Sequence, residues 1–191
     1  MTGAASMRAG SFPFADRLTP RIVVVMGVSG TGKSTVADGL HNLLGWPFQE
    51  GDALHPRSNV EKMAAGVPLT DEDRWPWLDT CRDWISERAK EGRGGVLTCS
   101  ALKRIYRDRL RSSGVDITFL FLAIPEDVIS ARLQRREGHF MPASLLPSQF
   151  ATLEEPDADE HVLVLPLTPT PAEQIADAVE ALRQDQIVRS R

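Results

Sequence analysis

One segment limits what this chain can fold into more than any other: the residues from Gly27 to Ser34 read G-x-x-x-x-G-K-S. A valine-rich apolar run precedes the motif, and this run predicts a buried parallel strand over residues 21–26. Apolar residues at helical spacing follow it and predict a helix, namely Val36, Leu40, Leu43 and Leu44. A strand, a glycine-rich loop and a helix in this order are the setting in which such a motif binds phosphate.

The residue types in the loop fit a nucleoside triphosphate with a magnesium ion. Three glycines leave the backbone N–H groups free to approach phosphate oxygens, and the dipole of the following helix favours an anion. Lys33 is expected to reach the β- and γ-phosphates, and the Ser34 hydroxyl is expected to ligate Mg²⁺. The sequence therefore predicts ATP and Mg²⁺ as cofactors, and a nucleotide-binding loop of Gly27, Val28, Ser29, Gly30, Thr31, Gly32, Lys33, Ser34 and Thr35.

Length, charge and cysteine content describe an ordinary single-domain enzyme. The chain has 191 residues, of which 42% are hydrophobic and 25% charged, and its formal net charge is −4. This charge gives no overall attraction to nucleic acid or to an anionic membrane, so we expect neither as a partner. The two cysteines, Cys81 and Cys99, form no metal-binding or C-x-x-C spacing, which favours a reduced, cytoplasmic protein.

The order of the predicted elements defines the fold class. Predicted strands alternate with predicted helices, so we expect one α/β domain with a mainly parallel, five-stranded sheet flanked by helices. Residues 1–20 are predicted to be a disordered leader, residues 21–187 the domain and residues 188–191 a tail. Beyond the first strand and helix, the predicted strands are residues 46–50, 94–100, 116–122 and 161–165, and the predicted helices include 56–63, 70–88, 101–111, 147–153 and 171–183.

Polar residues follow two predicted strands at the edge where parallel sheets bind ligands. Asp52 and His55 follow the second strand, and Ser100 and Lys103 follow the third. The carboxylate of Asp52 is predicted to orient the attacking hydroxyl and accept its proton. The alternatives left open for Asp52 are an Mg²⁺ ligand through water, together with Glu50, and a helix cap.

Arginines and a glycine–proline break predict a lid. Arg132 and Arg136 are four residues apart on one helix, and the stretch from Gly138 to Pro142 interrupts that helix. A hinged helical lid over residues 137–150 would carry these positive charges to the phosphates. Lys103, Arg107 and Arg111 share one face of another predicted helix, and of the basic residues in that helix we assign a role in the site to Lys103 alone.

Four longer stretches carry a resemblance to a known family: MGVSGTGKST, GDALHPRSNVEKMAAGVPLTDEDRWPWL, CSALKRIYRDRLR and RLQRREGHFMPASLLPSQFATLEEP. They closely resemble the gluconokinases of the P-loop kinase superfamily, near adenylate and shikimate kinases. The resemblance implies ATP-dependent phosphorylation of D-gluconate to 6-phospho-D-gluconate, a lid over His139–Gln149 and, commonly, a homodimer. It also implies that Asp52 faces the substrate and that Arg132 and Arg136 bind the nucleotide.

A polyhydroxy carboxylate needs a cation for its carboxylate and hydrogen-bonding partners for its hydroxyls. The sequence offers three cations for the carboxylate, Lys62, Arg74 and Lys103, and leaves open which of them binds it. The full set of predicted substrate-binding residues is Asp52, His55, Lys62, Arg74, Ser100, Lys103, His139 and Gln149, and the predicted catalytic residues are Lys33, Asp52 and Arg136.

Two other functions share the phosphate-binding loop. A regulatory GTPase would need a guanine-binding N-K-x-D and a D-x-x-G switch, and neither string occurs in this chain. A motor ATPase would need an apolar strand that ends in aspartate, whereas residues 96–100 end in Cys-Ser. A kinase for shikimate or a nucleoside monophosphate shares both loop and lid, so the segment from Asp52 to Arg74 is what disfavours it.

Overall fold

The computed structural model describes residues 18–134 and 145–191. The strands in these residues are β1 (Ile22–Met26), β2 (Phe48–Gln49), β3 (Gly95–Thr98), β4 (Ile117–Ala123) and β5 (Leu163–Pro166). The helices are α1 (Lys33–Leu44), α2 (Arg57–Ala64), α3 (Asp71–Glu91), α4 (Arg104–Arg111), α5 (Glu126–Gln134), α6 (Leu146–Thr152) and α7 (Pro171–Arg189). Across the described part of the chain, no helix combines the length and the apolar character needed to cross a membrane.

The five strands form one parallel sheet in the order β2-β3-β1-β4-β5. β1 lies at the centre, where Val25 is in register with Thr98 of β3 and with Leu120 of β4. The carboxyl ends of β1 and β3 therefore lie side by side, and β2 adds its own end next to β3. The predicted fold, a single α/β domain around a five-stranded parallel sheet, is confirmed.

Helices cover both faces of the sheet because side chains of a strand alternate between its two faces. Val23 and Val25 of β1 pack with apolar residues of α1 and α7, including Leu40 and Leu182. The intervening residues of β1 pack with α3 and α4 on the opposite face, in a cluster that contains Ile22, Val24, Met26, Trp77, Leu78, Tyr106 and Leu110. All five residues of β1 are buried, as expected for a strand covered on both sides.

Capping explains where two long helices begin. At the start of α3, Thr70 accepts a hydrogen bond from the backbone N–H of Asp73, and the Asp73 carboxylate accepts one from the backbone of Thr70. Thr170 and Glu173 form the same reciprocal pair at the start of α7. The T-x-x-D spacing of residues 70–73 is typical of such a reciprocal cap.

Helix α7 is longer than predicted, because it ends at Arg189 and not near residue 183. Arg189 pairs with Asp116, which precedes β4, at 2.6 Å and with Asp185 of its own helix at 2.8 Å. The pair with Asp116 joins residues 73 positions apart, so the local pattern of apolar residues could not indicate it.

A buried ion pair joins α4 to the segment before β5. The guanidinium of Arg107 donates to both carboxylate oxygens of Glu160 at 2.6 Å, and the two side chains are 0% and 1% exposed. Arg107 also donates to the carbonyl oxygens of Ala101, Leu102 and Glu154. Arg107 therefore links the segment that follows β3 to the segment that follows α6.

Candidate active site

The glycine-rich loop has the backbone conformation that its sequence requires. Gly27 has a φ of 136°, and a Cβ atom there would lie 3.2 Å from the Leu122 carbonyl oxygen. Gly32 caps α1 with a φ of 99°. The backbone N–H of Gly27 donates to the Ser100 carbonyl at 3.2 Å, which ties the loop to the end of β3. The loop thus opens onto the carboxyl edge of the sheet, at the start of α1.

Lys33, the first residue of α1, lies inside this loop. Its ammonium donates to the carbonyl oxygen of Val28 at 2.9 Å. Burial lowers the pKa of Lys33, and the carboxylates of Asp52 and Glu50 act in the opposite direction. The next two residues, Ser34 and Thr35, are exposed at the mouth of the loop.

A cavity lies beside the loop, and both Lys33 and Asp52 line it. Asp52 belongs to a short 3₁₀ turn, Gly51–Leu54, that follows β2. The turn is held against β3, because the Gly51 N–H donates to the Thr98 hydroxyl at 3.0 Å and the Gly51 carbonyl accepts from the Trp77 indole at 2.7 Å. A Cβ atom at position 51 would lie 1.9 Å from the Thr98 carbonyl oxygen, so only glycine fits. The Thr98 hydroxyl also donates to the Glu50 carboxylate.

His55 forms the next part of the wall. Its ring stacks on the indole of Trp77, with 4.1 Å between ring centroids and 15° between the ring planes. Its Nδ1 lies 3.2 Å from the side-chain amide nitrogen of Asn59. Burial, together with the positive charge of Arg74, lowers the pKa of His55 to about 4, so the imidazole is neutral at pH 7.

The three candidate cations have different surroundings. Arg74 lines the cavity and donates to the carbonyl oxygens of Leu69 and Thr70. Lys62 pairs with Asp73 at 2.7 Å, and Lys103 pairs with Asp71 at 2.8 Å. Neither lysine is part of the cavity wall. The structure therefore brings Arg74 to the site and places the two lysines in ion pairs beside it.

Helix α6 closes the cavity from the other side. The side-chain oxygen of Gln149 accepts a hydrogen bond from the backbone N–H of Ser29 at 2.7 Å, so α6 touches the phosphate-binding loop. Ser148 and Leu145 lie beside Gln149 in the wall, and Ser100 faces them from the end of β3. Gln149 and Ser100 were both predicted from the sequence.

A second cavity lies on the other side of the loop. Its wall includes Arg132 of α5, which the sequence assigned to the nucleotide, and residues from the segment after β5. The lining residues of this cavity are Gly30, Thr31, Gly32, Thr35, Val36, Arg132, Thr168, Thr170, Pro171 and Gln174. Two cavities thus share one phosphate-binding loop, an arrangement suited to a donor on one side and an acceptor on the other.

Some predicted residues lie outside the described residues. They are Arg136, His139, most of the predicted lid and the first 17 residues of the leader. Their predicted roles stay predictions.

Sequence reasoning missed the apolar part of the wall. Met63, Leu69 and Leu145 pack together and line the cavity with Pro68 and Leu102. Trp77 has the helical spacing of a core residue and is 1% exposed, but one face of its ring also supports His55. A G-V-P-L turn before a capping threonine was the available signal for part of this wall.

Comparison with known proteins identifies the family of the chain. A family model described as an AAA domain matches residues 22–156. A gluconokinase from Gluconobacter oxydans is 64% identical over 146 residues, which cover 76% of this chain and 82% of the relative. The thermosensitive gluconokinase of Escherichia coli is 45% identical and covers 86% of this chain and 90% of its own length.

Solved structures give the same result. A gluconokinase from Sinorhizobium meliloti 1021 superposes with a TM-score of 0.79 at 42% identity, covering 92% of this chain and all of that one. An unliganded sugar kinase from Janibacter superposes with a TM-score of 0.82 at 51% identity, covering 86% of this chain and 95% of that one. With this fold, this loop and relatives of this identity and coverage, the chain belongs to the gluconokinase family of P-loop kinases.

Proposed function

We propose that this protein transfers the γ-phosphoryl group of ATP to D-gluconate and forms 6-phospho-D-gluconate. The observation that carries the proposal is the cavity that Lys33, Asp52 and Arg74 line. It combines a phosphate-binding cation, a carboxylate and a second cation within one partly apolar wall. The names of the relatives, gluconokinases at up to 64% identity, support gluconate as the acceptor.

Asp52 is the proposed proton acceptor. A primary hydroxyl attacks phosphorus readily only when its proton can leave, and a carboxylate within hydrogen-bond reach both orients the hydroxyl and takes the proton. Lys33 would balance the charge that develops on the transferred phosphoryl group. Because Lys33 contacts the Val28 carbonyl here, we propose that phosphate oxygens replace this carbonyl when ATP binds.

Arg74 is the proposed partner of the gluconate carboxylate. A guanidinium can bind a carboxylate through two parallel hydrogen bonds. Of the three candidate cations, Arg74 alone lines the cavity, whereas Lys62 and Lys103 are held by aspartates. We propose that the two lysines neutralise the negative charges of these aspartates.

The oxygen ligands near the loop fit a magnesium ion. Among the described residues, no cluster of three or more His, Cys, Asp or Glu side chains could hold a metal by itself. Mg²⁺ commonly binds through one or two protein oxygens, water and substrate phosphates. The Ser34 hydroxyl would ligate it directly and Asp52 would do so through water, and the bound ion would neutralise charge on the phosphates.

The second cavity is proposed to hold the rest of the nucleotide, with Arg132 near its phosphates. We propose that Arg136 and His139 act from the lid, Arg136 at the phosphates and His139 at the substrate. A homodimer and a cytoplasmic location are further proposals. The free thiols of Cys81 and Cys99 support a reducing compartment, and light scattering of the purified chain would test the dimer.

Release of ADP across a panel of acceptors tests the function. We expect turnover with gluconate and little with shikimate, glycerate or nucleoside monophosphates. A phosphorus NMR spectrum of the product would identify the phosphorylated carbon. A higher specificity constant for shikimate or for a nucleoside monophosphate than for gluconate would refute the proposal.

A further inference from the structure

The inference concerns Asn59, a residue of α2 that is 2% exposed and does not line the cavity. Its side-chain nitrogen, Nδ2, makes two contacts. It donates to the Asp73 carbonyl oxygen at 2.8 Å and lies 3.2 Å from Nδ1 of His55. Asn59 therefore links the start of α3 to the ring of His55.

The contact with Asp73 fixes the orientation of the Asn59 amide. If the amide were turned over, its oxygen would face the Asp73 carbonyl oxygen, and two acceptors would oppose each other without a hydrogen. The nitrogen must therefore lie on this side. Because an amide nitrogen has two hydrogens and accepts no hydrogen bond, it is a donor to His55 as well.

The proton on His55 is placed by this donor. A ring nitrogen that accepts a hydrogen bond carries no proton, so Nδ1 of His55 is unprotonated and the proton of the neutral ring is on Nε2. Turning the ring over would break the contact with Asn59, and stacking on Trp77 holds the ring plane. His55 is thus held in one tautomer and one orientation.

We propose that Asn59 is a positioning residue that makes His55 a fixed hydrogen-bond donor, through Nε2–H, to a hydroxyl oxygen of the bound sugar acid. His55 lines the cavity, and no described residue accepts a hydrogen bond from its Nε2. The part that concerns the substrate rests on the proposed function. A ring in this tautomer cannot accept the proton of the attacking hydroxyl at Nε2, so this inference leaves Asp52 as the base.

The electrostatic surroundings agree with a neutral ring. Burial and the charge of Arg74 disfavour the imidazolium form. Lys33 of α1 and Asp52 of the 3₁₀ turn line the same cavity as the ring. Asp73 of α3, whose carbonyl contacts Asn59, pairs through its carboxylate with Lys62 of α2.

The tautomer can be measured in the unaltered protein. The chain has four histidines, and two-bond proton–nitrogen NMR of protein labelled with nitrogen-15 histidine distinguishes protonated from unprotonated ring nitrogens. His55→Gln identifies the signals of His55 by their loss. We expect unprotonated Nδ1 and protonated Nε2 at pH 7 and at pH 6. A protonated Nδ1, or averaging of the two tautomers, in the unaltered protein would overturn the inference.

A pair of variants tests the role toward substrate. Asn59→Asp replaces the donor by a carboxylate, which accepts from Nδ1, and we expect the proton of the neutral ring to move to Nδ1, which leaves Nε2 without a proton to donate. Loss of one neutral hydrogen bond to gluconate should raise KM roughly three- to tenfold, with kcat changed less. Asn42→Asp is the matched control, because Asn42 is the other asparagine and lies on α1, where it bonds to Asp38.

The outcomes separate the two proposals. If the tautomer changes in Asn59→Asp while the KM for gluconate equals that of Asn42→Asp, the positioning role is refuted. A KM increase without any change of tautomer also refutes it, because the effect then arises from the start of α3. If the unaltered enzyme does not phosphorylate gluconate, the proposed function fails, and the NMR result for His55 still stands on its own.

Discussion

Breaking the buried pair between Arg107 and Glu160 should destabilise the fold more than breaking any exposed pair in the chain. The two side chains are 0% and 1% exposed, so removing one leaves the other charge buried without its partner. Such a loss costs about 3–5 kcal/mol. Arg111 contacts the Glu160 carboxylate at 3.2 Å and compensates in part, so we expect about 3 kcal/mol for Arg107→Met.

The pKa of Glu160 gives a second measure of the same interaction. Hydrogen bonds from Arg107 are the main cause that lowers this pKa from 4.5 to about 2. At about 1.4 kcal/mol per pKa unit, the shift corresponds to about 3 kcal/mol of stability. Because the folded pKa is the lower one, this contribution is complete above pH 4.5 and is lost as the pH falls toward 2. The difference between the unaltered protein and Glu160→Gln should therefore shrink between pH 5 and pH 3.

A second arginine–glutamate pair provides the control. Arg183 and Glu180 also meet at 2.6 Å, but their side chains are 30% and 52% exposed. Exposed pairs contribute roughly 0–1 kcal/mol, so Arg183→Met should cost less than about 1 kcal/mol. The two pairs share their chemistry and their distance, and they contrast a buried pair between distant segments with an exposed pair three positions apart in one helix.

Urea unfolding followed by tryptophan fluorescence would measure these differences, and a double-mutant cycle would isolate the pair. Arg107→Met with Glu160→Leu should cost less than the sum of the single changes. It should still cost something, because the carbonyl oxygens of Ala101, Leu102 and Glu154 lose their donor. If Arg107→Met costs no more than Arg183→Met, the reasoning from burial is refuted.

Three further substitutions test the site. Lys33→Ala should lower kcat roughly 100-fold or more, because one group that stabilises transferring charge is lost; a folded variant with near-normal turnover would exclude this role. Asp52→Asn should lower kcat roughly 10²- to 10⁴-fold with ATP binding retained, and recovery at raised Mg²⁺ would identify a metal ligand. Arg74→Ala should raise the KM for gluconate roughly tenfold or more, as expected for loss of a charged hydrogen bond, and Lys103→Ala much less; equal effects in steady-state kinetics would refute the assignment of the carboxylate to Arg74.

The parts of the fold that local pattern controls were predictable. A valine run, three glycines and helical spacing predicted β1, the loop and α1, because each depends on neighbours in sequence. The rule that ligands bind beyond the carboxyl ends of parallel strands placed Asp52 and Ser100 together, and both line the cavity.

Contacts between distant residues were not predictable. Arg107 was grouped with Lys103 and Arg111 on one basic face, yet it is buried because Glu160, 53 positions later, reaches it. The apolar wall around Leu145 was missed for the same reason, since Met63 and Leu69 meet it only in the folded chain.

The start of α3 shows how one short segment can do two things at once. Acidic residues in the first turn of a helix are favoured by the helix dipole, and Asp71 and Asp73 lie in the first turn of α3. In the structure their carboxylates also hold Lys103 and Lys62. Arg74 follows in the same turn and faces the cavity. The acidic helix start therefore holds two nearby cations in ion pairs, which is why we propose Arg74, whose guanidinium matches the shape of a carboxylate, as the partner of the anionic substrate.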